Sequence, residues 1–190
     1  MDARTIFFIG KPGSGKDTQA ALLSRETGWP VVAASNEIRA LAQAGTSIGK
    51  KIKATIESGD LTPAWMPGYL FIKTLFSTKS DDSLIFTGFN RRVIETELVI
   101  DSLTWLERPF TVFHLHTSDE EVRKRLALRK EKEGRADDHD HIVDKRFEEY
   151  YKNTEPTIAL FKKAGVLIEV DGEQTPEKIA QDIRQALQRS

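Results

Sequence analysis

The chain has 190 residues, with 28 Lys and Arg against 29 Asp and Glu and a formal net charge of -1, so any positive potential must be local and no general attraction to nucleic acid or an anionic membrane is expected. Hydrophobic residues at 39% and charged residues at 30% fit one globular domain, and no apolar run is long enough to span a bilayer. The absence of cysteine excludes disulfides and thiolate metal sites and fits a reducing, cytoplasmic setting.

Met1-Asp2-Ala3-Arg4 runs straight into Thr5-Ile6-Phe7-Phe8-Ile9, a β-branched and aromatic strand, rather than forming a signal peptide. Next comes Gly10-Lys11-Pro12-Gly13-Ser14-Gly15-Lys16-Asp17-Thr18, then a helix from about Lys16 to Glu26. Strand, glycines, lysine and helix in that order make a phosphate cradle. Glycines let successive N–H groups point inward, the helix N-terminus adds partial positive charge, and Lys16 adds a full one. The spacing is Gly-x4-Gly-Lys, followed by Asp17 where a P-loop usually carries Ser or Thr. An ordinary glycine-rich turn is the bland alternative.

Thr27-Gly28-Trp29-Pro30 ends that helix, and Val31-Val32-Ala33 reads as the second strand. Ser35 or Asn36 can cap a helix from Glu37 to Ala44. Ile48, Ile52 and Ile56 mark an amphipathic helix from Ser47 to Glu57, and Ala64 to Phe76 forms a third. Ser83 to Gly88 is the third strand, Glu95 to Trp105 a helix, and Phe110 to Leu115 the fourth strand. Ser118 and Glu121 have capping-box spacing at the next helix start. Glu131 to His141 reads as an exposed flap, Ile142 to Lys163 as one long helix with Pro156 at or near a kink. Val166 to Val170 is the fifth strand, and Thr175-Pro176 opens the final helix.

Strands alternating with helices predict an α/β fold with a five-stranded parallel sheet covered on both faces. Such sheets bind ligands at the carboxyl ends of their strands. That brings Gly10–Thr18, Ala33–Asn36 and Gly88–Arg92 together. Residues 34–76 are a helical insertion and 130–138 a small flap on a core of 1–33, 77–129 and 139–190.

Arg39, Arg91, Arg125, Arg129, Arg135 and Arg146 all fall near this mouth. Any one of them alone would be a surface charge. Six together suit phosphoryl transfer, which asks for positive charge around equatorial oxygens and little covalent chemistry. His114, His116, His139 and His141 read as structural or surface residues, and Trp29, Trp65 and Trp105 as core or half-buried packing.

On these residues the chain resembles the adenylate kinase and nucleoside monophosphate kinase family, in its short-lid form, nearly end to end. Gly10 to Gln19 matches the family's G-x-P-G-x-G-K-G-T-Q except at Asp17. Gly59-Asp60-Leu61-Thr62-Pro63 resembles the loop that touches the monophosphate base. Gly88-Phe89-Asn90-Arg91 resembles G-F-P-R, and Gly134-Arg135-Ala136-Asp137-Asp138 with Arg146 to Tyr150 resembles the lid and its hinge. The resemblance implies a P-loop NTPase fold with residues 34–76 as monophosphate-binding insertion and 130–138 as lid. It implies a monomer that takes MgATP and a nucleoside monophosphate, AMP by default. Gly13, Ser14, Gly15, Lys16, Asp17 and Thr18 would hold the ATP phosphates, with Arg125 and Gly172 at its adenine. Arg39 and Arg91 would hold the monophosphate, beside Ala34, Leu61, Thr62, Gly88 and Glu95. Lys16, Arg91, Arg129, Arg135 and Arg146 would surround the transferring group.

Several positions depart from the family. Ala34 replaces a threonine, Asn36 and Thr87 replace aspartates that support magnesium, Asn90 a proline, and Glu95 a base-reading glutamine. Either Asp17 supplies the missing carboxylate, directly or through water, or the protein binds nucleotide with weak or no transfer. A P-loop kinase of a non-nucleotide alcohol, with Glu37 or Glu95 as base, is a third reading. Glu95 either meets the acceptor base, favouring amino or imino N–H groups, or pairs with Arg92 or Arg39.

Overall fold

Five strands build the sheet: β1 (Thr5–Ile9), β2 (Val31–Ala33), β3 (Leu84–Thr87), β4 (Phe110–His116) and β5 (Leu167–Asp171). In the computed structural model, which describes residues 4–133 and 140–189, they lie in the order β2-β3-β1-β4-β5, and all neighbours are parallel. The fold is the α/β P-loop architecture expected from the sequence.

Alternation along β1 divides the core. Phe7 and Ile9 face one layer, where Phe7 stacks on Phe86 at 4.9 Å and Phe71 closes over both at 6.1 and 5.5 Å. Ile6 and Phe8 face the other layer, with Ile85, Phe113 and Leu115. Strands buried on both faces read as continuous apolar runs, which is the pattern of this sequence. Helices α1 (Lys16–Thr27) and α9 (Pro176–Arg189) cover the second layer, through Ala20, Leu23, Ile179 and Ile183.

The insertion between β2 and β3 holds α2 (Ala34–Gln43), α3 (Ser47–Glu57) and α4 (Trp65–Phe76). Thr46 caps α3 by accepting the Gly49 N–H at 3.0 Å. α2 begins earlier than expected, with Ala33 at the cap position and no side-chain cap, so Ser35 and Asn36 lie within its first turn. Its buried Ala34 and Ile38 carry the start instead, a case of packing overriding capping propensity.

After β3 come α5 (Val93–Trp105), β4 and α6 (Asp119–Glu133). The Ser118 hydroxyl does accept the Glu121 N–H, at 3.3 Å. The other half of the expected capping box is different: Glu173 accepts the Ser118 N–H at 2.8 Å, and Glu121 turns to Arg125. α6 also runs three residues into the segment expected to be flap. Residues 134–139, with Arg135, His139 and most of the expected lid, lie outside the described residues.

The expected single helix over 142–163 is interrupted. α7 (Asp140–Glu149) passes into a π-helical turn, Tyr150–Thr154, and then into α8 (Glu155–Lys163). Pro156 has no N–H to offer the turn before it, so the ladder widens ahead of it and the Glu155 N–H bonds the Tyr150 carbonyl.

Two tryptophan expectations fail. Trp29 is half-buried against the second core layer, but Trp65 and Trp105 are exposed on α4 and α5. Their spacing matches core residues, but their faces point away from the sheet. Among the described residues, no helix is long and apolar enough to cross a membrane.

Candidate active site

β1 is the middle strand, so the loop after it opens at the centre of the sheet's carboxyl edge, with the ends of β3 and β4 on either side. Gly10 sits at φ 144°, and a Cβ there would stand 2.7 Å from the Leu115 carbonyl oxygen. No L side chain tolerates both the conformation and the approach. The loop then turns into α1 through Gly15, in the left-handed region.

Two cavities meet at this loop. One is lined by Gly10, Pro12 and Lys16 of the loop, Arg39 of α2, Asp60, Leu61 and Thr62, then Gly88, Arg91 and Glu95, and Arg146 of α7. The other is lined by Gly13, Gly15, Lys16, Asp17, Thr18 and Gln19, by Arg125 and Arg129 of α6, and by Gln174 and Pro176. Lys16 belongs to both walls. Its Nζ donates to the Lys11 carbonyl at 2.6 Å. Burial pulls its pKa down to about 7, Asp17 opposes this, and the guanidiniums of Arg91, Arg146 and Arg129 press it lower. Three arginines that lie far apart in sequence thus converge on one ammonium.

Asp17 reaches across from α1 to the end of β3, where the Thr87 hydroxyl donates to its Oδ1 at 2.5 Å. Partial withdrawal from water works to raise the Asp17 pKa. Lys16, the Thr87 hydroxyl, Arg91 and Arg39 outweigh that and hold the carboxyl below its usual range. A carboxylate therefore stands where the family's D-G-F-P-R loop would carry one, but it is rooted in the P-loop. Among the described residues, no cluster of three or more His, Asp or Glu side chains forms a ready-made metal cage.

The wall of the first cavity is firmly propped. Asn90 has φ 60°, a left-handed conformation that asparagine tolerates and proline cannot adopt, which accounts for this departure from the family. Thr154 donates to the Arg91 carbonyl at 3.1 Å, and Thr157, whose hydroxyl donates to the Thr154 carbonyl at 2.6 Å, lies 3.3 Å from the Asn90 carbonyl. Glu95 is buried in the cavity wall, and its Oε2 accepts the Arg91 backbone N–H at 2.9 Å. Burial raises the Glu95 pKa against the pull of that N–H and of Arg91 and Arg92. Arg92 reaches the Leu61 carbonyl at 3.4 Å, tying this loop to the insertion. Ala34 is fully buried, and its Cβ packs 3.7 Å from the Cβ position of Gly88.

On the other side, Arg125 is held by Glu121 at 2.8 Å and donates to the Ser14 carbonyl at 3.4 Å. Gly172 follows β5, where its N–H donates to the His116 carbonyl at 2.7 Å. Its backbone packs so tightly that a Cβ would collide with Thr117 Oγ1 and the His116 carbonyl. The cavity wall there comes from the following residues, Gln174 and Pro176.

Sequence reasoning passed over Lys11. Its ammonium meets Asp119 Oδ1 at 2.5 Å, and the Tyr151 hydroxyl donates to the same oxygen at 2.6 Å. The ring of Tyr151 lies 5.2 Å from the same ammonium. Tyr150, one residue earlier, turns the other way to the buried His114 at 3.2 Å. No local signal in the sequence announces these pairs, because the π turn sets them.

A strand, a glycine loop and a helix under one lysine, opening into two arginine-lined cavities, define a P-loop phosphotransferase. The family model for adenylate kinase matches residues 8–166. An adenylate kinase of Thermus thermophilus is 33% identical over 185 residues, covering 97% of each chain. One of Maricaulis maris is 34% identical over 187 residues, covering 96% of this chain and 98% of its own. Adenylate kinase isoenzyme 1 of Oryctolagus cuniculus is 31% identical over 180 residues, covering 93% and 90%. The chain belongs to the adenylate kinase family, and its reaction is phosphoryl transfer to a nucleoside monophosphate.

Proposed function

We propose that ATP binds with its phosphates in the P-loop and its base between Arg125 and Gln174, and that a nucleoside monophosphate, AMP by default, occupies the second cavity. The observation that carries this reading is that Lys16 lines both cavities, which sets the transferring group between the two ligands. Gly13, Gly15 and Thr18 present backbone N–H groups and the helix end to the β- and γ-phosphates, and Ser14, whose N–H bonds the Lys11 carbonyl, shapes the turn between them. Arg39 and Arg91 clamp the acceptor phosphate as bidentate forks. Leu61, Thr62, Gly88 and Glu95 surround its nucleoside, and Ala34, buried behind Gly88, shapes that wall without reaching the cavity. Arg129 and Arg146, joined by Arg135, close over the equatorial oxygens. Arg125 stacks on the ATP base, and Gly172 lets the β5 turn approach it.

Mg²⁺ would be held by Asp17, which lines the P-loop cavity. A hard cation takes carboxylate oxygen and keeps several waters, and the buried Thr87 hydroxyl fixes that carboxylate from behind. Bound with ATP, the ion spreads the phosphate charge. Asp17 holds it directly or through water, in place of the two absent family aspartates. Without such an ion, an anion beside a triphosphate would repel it.

Glu95 is tied to its own loop through the Arg91 and Asn90 backbone N–H groups and borders the acceptor cavity, where its carboxylate favours bases with an amino or imino hydrogen at that edge. Residues 34–76 form the acceptor-binding unit and 130–138 the lid. Both close on the ligands to keep water from the γ-phosphate. The reaction runs in the cytoplasm. A coupled assay with ATP, Mg²⁺ and each of AMP, CMP, GMP and UMP tests the reading. The expected result is diphosphate formation fastest with AMP. Equal rates with all four, or none, would reject the assignment of the second cavity.

A further inference from the structure

We propose that Lys11, Asp119 and Tyr151 form a clasp that fixes α6 and α7 to the phosphate loop, and that Lys11 is a positioning residue for phosphoryl transfer. Lys11 stands where the family's G-x-P-G pattern leaves the residue open, and it is not part of either cavity wall. Its largely buried side chain turns instead to Asp119, the first residue of α6, at 2.5 Å. Tyr151, from the π turn that ends α7, donates its hydroxyl to the same carboxylate oxygen at 2.6 Å and lays its ring 5.2 Å from the ammonium. Burial works to lower the Lys11 pKa, but Asp119 and Tyr151 outweigh it, so the ammonium keeps its charge.

The two helices form a unit of their own. Val122 and Leu126 of α6 pack with Val143 and Phe147 of α7 in an apolar cluster separate from both layers of the main core. Arg123 joins the helices again, bonding Asp144 at 2.6 Å and lying 4.9 Å from the centre of the Phe147 ring. This unit rests on the phosphate loop at Gly13, where a Cβ would stand 2.9 Å from Leu126. An apolar contact against a bare glycine is non-directional and sets no angle. The clasp is directional, because a charged hydrogen bond fixes both distance and approach. Tyr150, whose hydroxyl lies 3.2 Å from His114 Nε2, ties the same turn to β4, so consecutive tyrosines hold the unit to sheet and loop.

The unit carries Arg125 and Arg129 on α6 and Arg146 on α7, all at the cavity walls. At the other end of the clasp, the Lys11 carbonyl accepts the Lys16 Nζ at 2.6 Å and the Ser14 N–H at 3.1 Å. Lys11 thus sets the resting place of the loop's ammonium through its carbonyl. Through its side chain it sets the helices that bring the arginines to that ammonium. Phosphoryl transfer depends on these charges being held in line, and a misplacement of about 1 Å can cost about 10²-fold in rate.

The inference rests on the assignment of those arginines to the transferring group, so the test covers both. Steady-state kinetics of the full chain with ATP, Mg²⁺ and AMP at 25 °C are compared for five variants, with melting temperatures in parallel. Lys11→Met and Asp119→Ala should each lower kcat about 10- to 100-fold with KM for both nucleotides within about twofold, the pattern of an interaction lost in the transition state. Their double variant should lose no more than the worse single. Tyr151→Phe keeps the ring without the hydroxyl and should lose several-fold. Lys11→Arg keeps the charge and the ring contact and should stay within about threefold of wild type. Unchanged kcat in Lys11→Met, Asp119→Ala or Tyr151→Phe overturns the clasp, even where the melting temperature falls, and so do losses that multiply in the double variant. Arg146→Ala should also be slow. If it is not, the arginine assignment fails and the clasp with it; a slow Arg146→Ala beside an unchanged Lys11→Met sinks the clasp alone.

Discussion

The Asp17–Thr87 contact can be tested by exchanging the two side-chain chemistries. Asp17→Gly removes the carboxylate, Thr87→Asp puts one on β3, and the double variant restores the family residues at these two positions. In the wild type the hydroxyl donates to an ionised oxygen at 2.5 Å, a bond to a charged group worth about 1.5–3 kcal/mol. Asp17→Gly loses that bond and the carboxylate beside Lys16, Arg91 and Arg39. The expected fall in kcat is about 10²-fold, or about 2.7 kcal/mol, with a higher Mg²⁺ requirement. Thr87→Asp alone sets two carboxyls in contact, where both cannot stay ionised, so it also loses activity. The double variant should recover at least tenfold over either single, about 1.4 kcal/mol, where independent sites would add their losses. Asp17→Asn keeps the size and the Thr87 bond but not the charge, and should behave like Asp17→Gly in its Mg²⁺ requirement. Coupled kinase assays across a Mg²⁺ titration measure both quantities. Mn²⁺ binding followed by electron paramagnetic resonance reads the ion without turnover. If Asp17→Gly matches the wild type in rate and Mg²⁺ requirement, or the double variant is no better than the worse single, the transposed carboxylate is refuted.

Lys16 gives a pH prediction. With its free pKa pulled down to about 7, it is part neutral at neutral pH, and a bound triphosphate raises it. ATP binding then takes up a proton, and affinity is greatest below pH 7 and falls as pH rises through 7. Calorimetry in buffers of different ionisation heat should show this uptake; buffer-independent heats would exclude it. Glu95→Gln replaces an acceptor by a donor and acceptor, and should change kcat/KM ratios among the monophosphates about tenfold, with ATP KM unchanged. Equal thermal shifts from every monophosphate, in wild type and variant, would end the base-reading argument. Phe86→Ala opens the aromatic stack on β1 and should cost about 3–5 kcal/mol, lowering the melting temperature by about 10 °C.

Much of this was legible in the sequence because it depended on local chemistry. β1, β2 and α3 have the bounds their patterns imply, α9 starts where Pro176 places it, and the P-loop follows from a strand, spaced glycines, a lysine and a helix in order. Lys16, Arg39, Arg91, Arg125, Arg129 and Arg146 do gather at the two cavities. The start of α2 was not legible, since buried alanine and isoleucine rather than a capping side chain determine it. Nor was the partner of Ser118, which is Glu173, 55 residues away. The exposure of Trp65 and Trp105 depends on which face of a helix meets the sheet, and residue size is silent on that. The two tempered departures, Asp17 and Thr87, made sense only once they touched.

The π turn after α7 sets the phase of everything that follows. One residue more per turn there offsets α8 against α7 by roughly a quarter of a rotation. The offset lets a single rod serve two clients: Arg146 on the near side addresses one cavity, while Thr154 holds up the Arg91 carbonyl and Thr157 braces Thr154. Deleting a residue between 150 and 154 would leave a smoother helix whose far half is dialled to the wrong angle. The irregularity is therefore a registration mark, and insertions or deletions there should be tolerated far less than in the surface loops at 78–83.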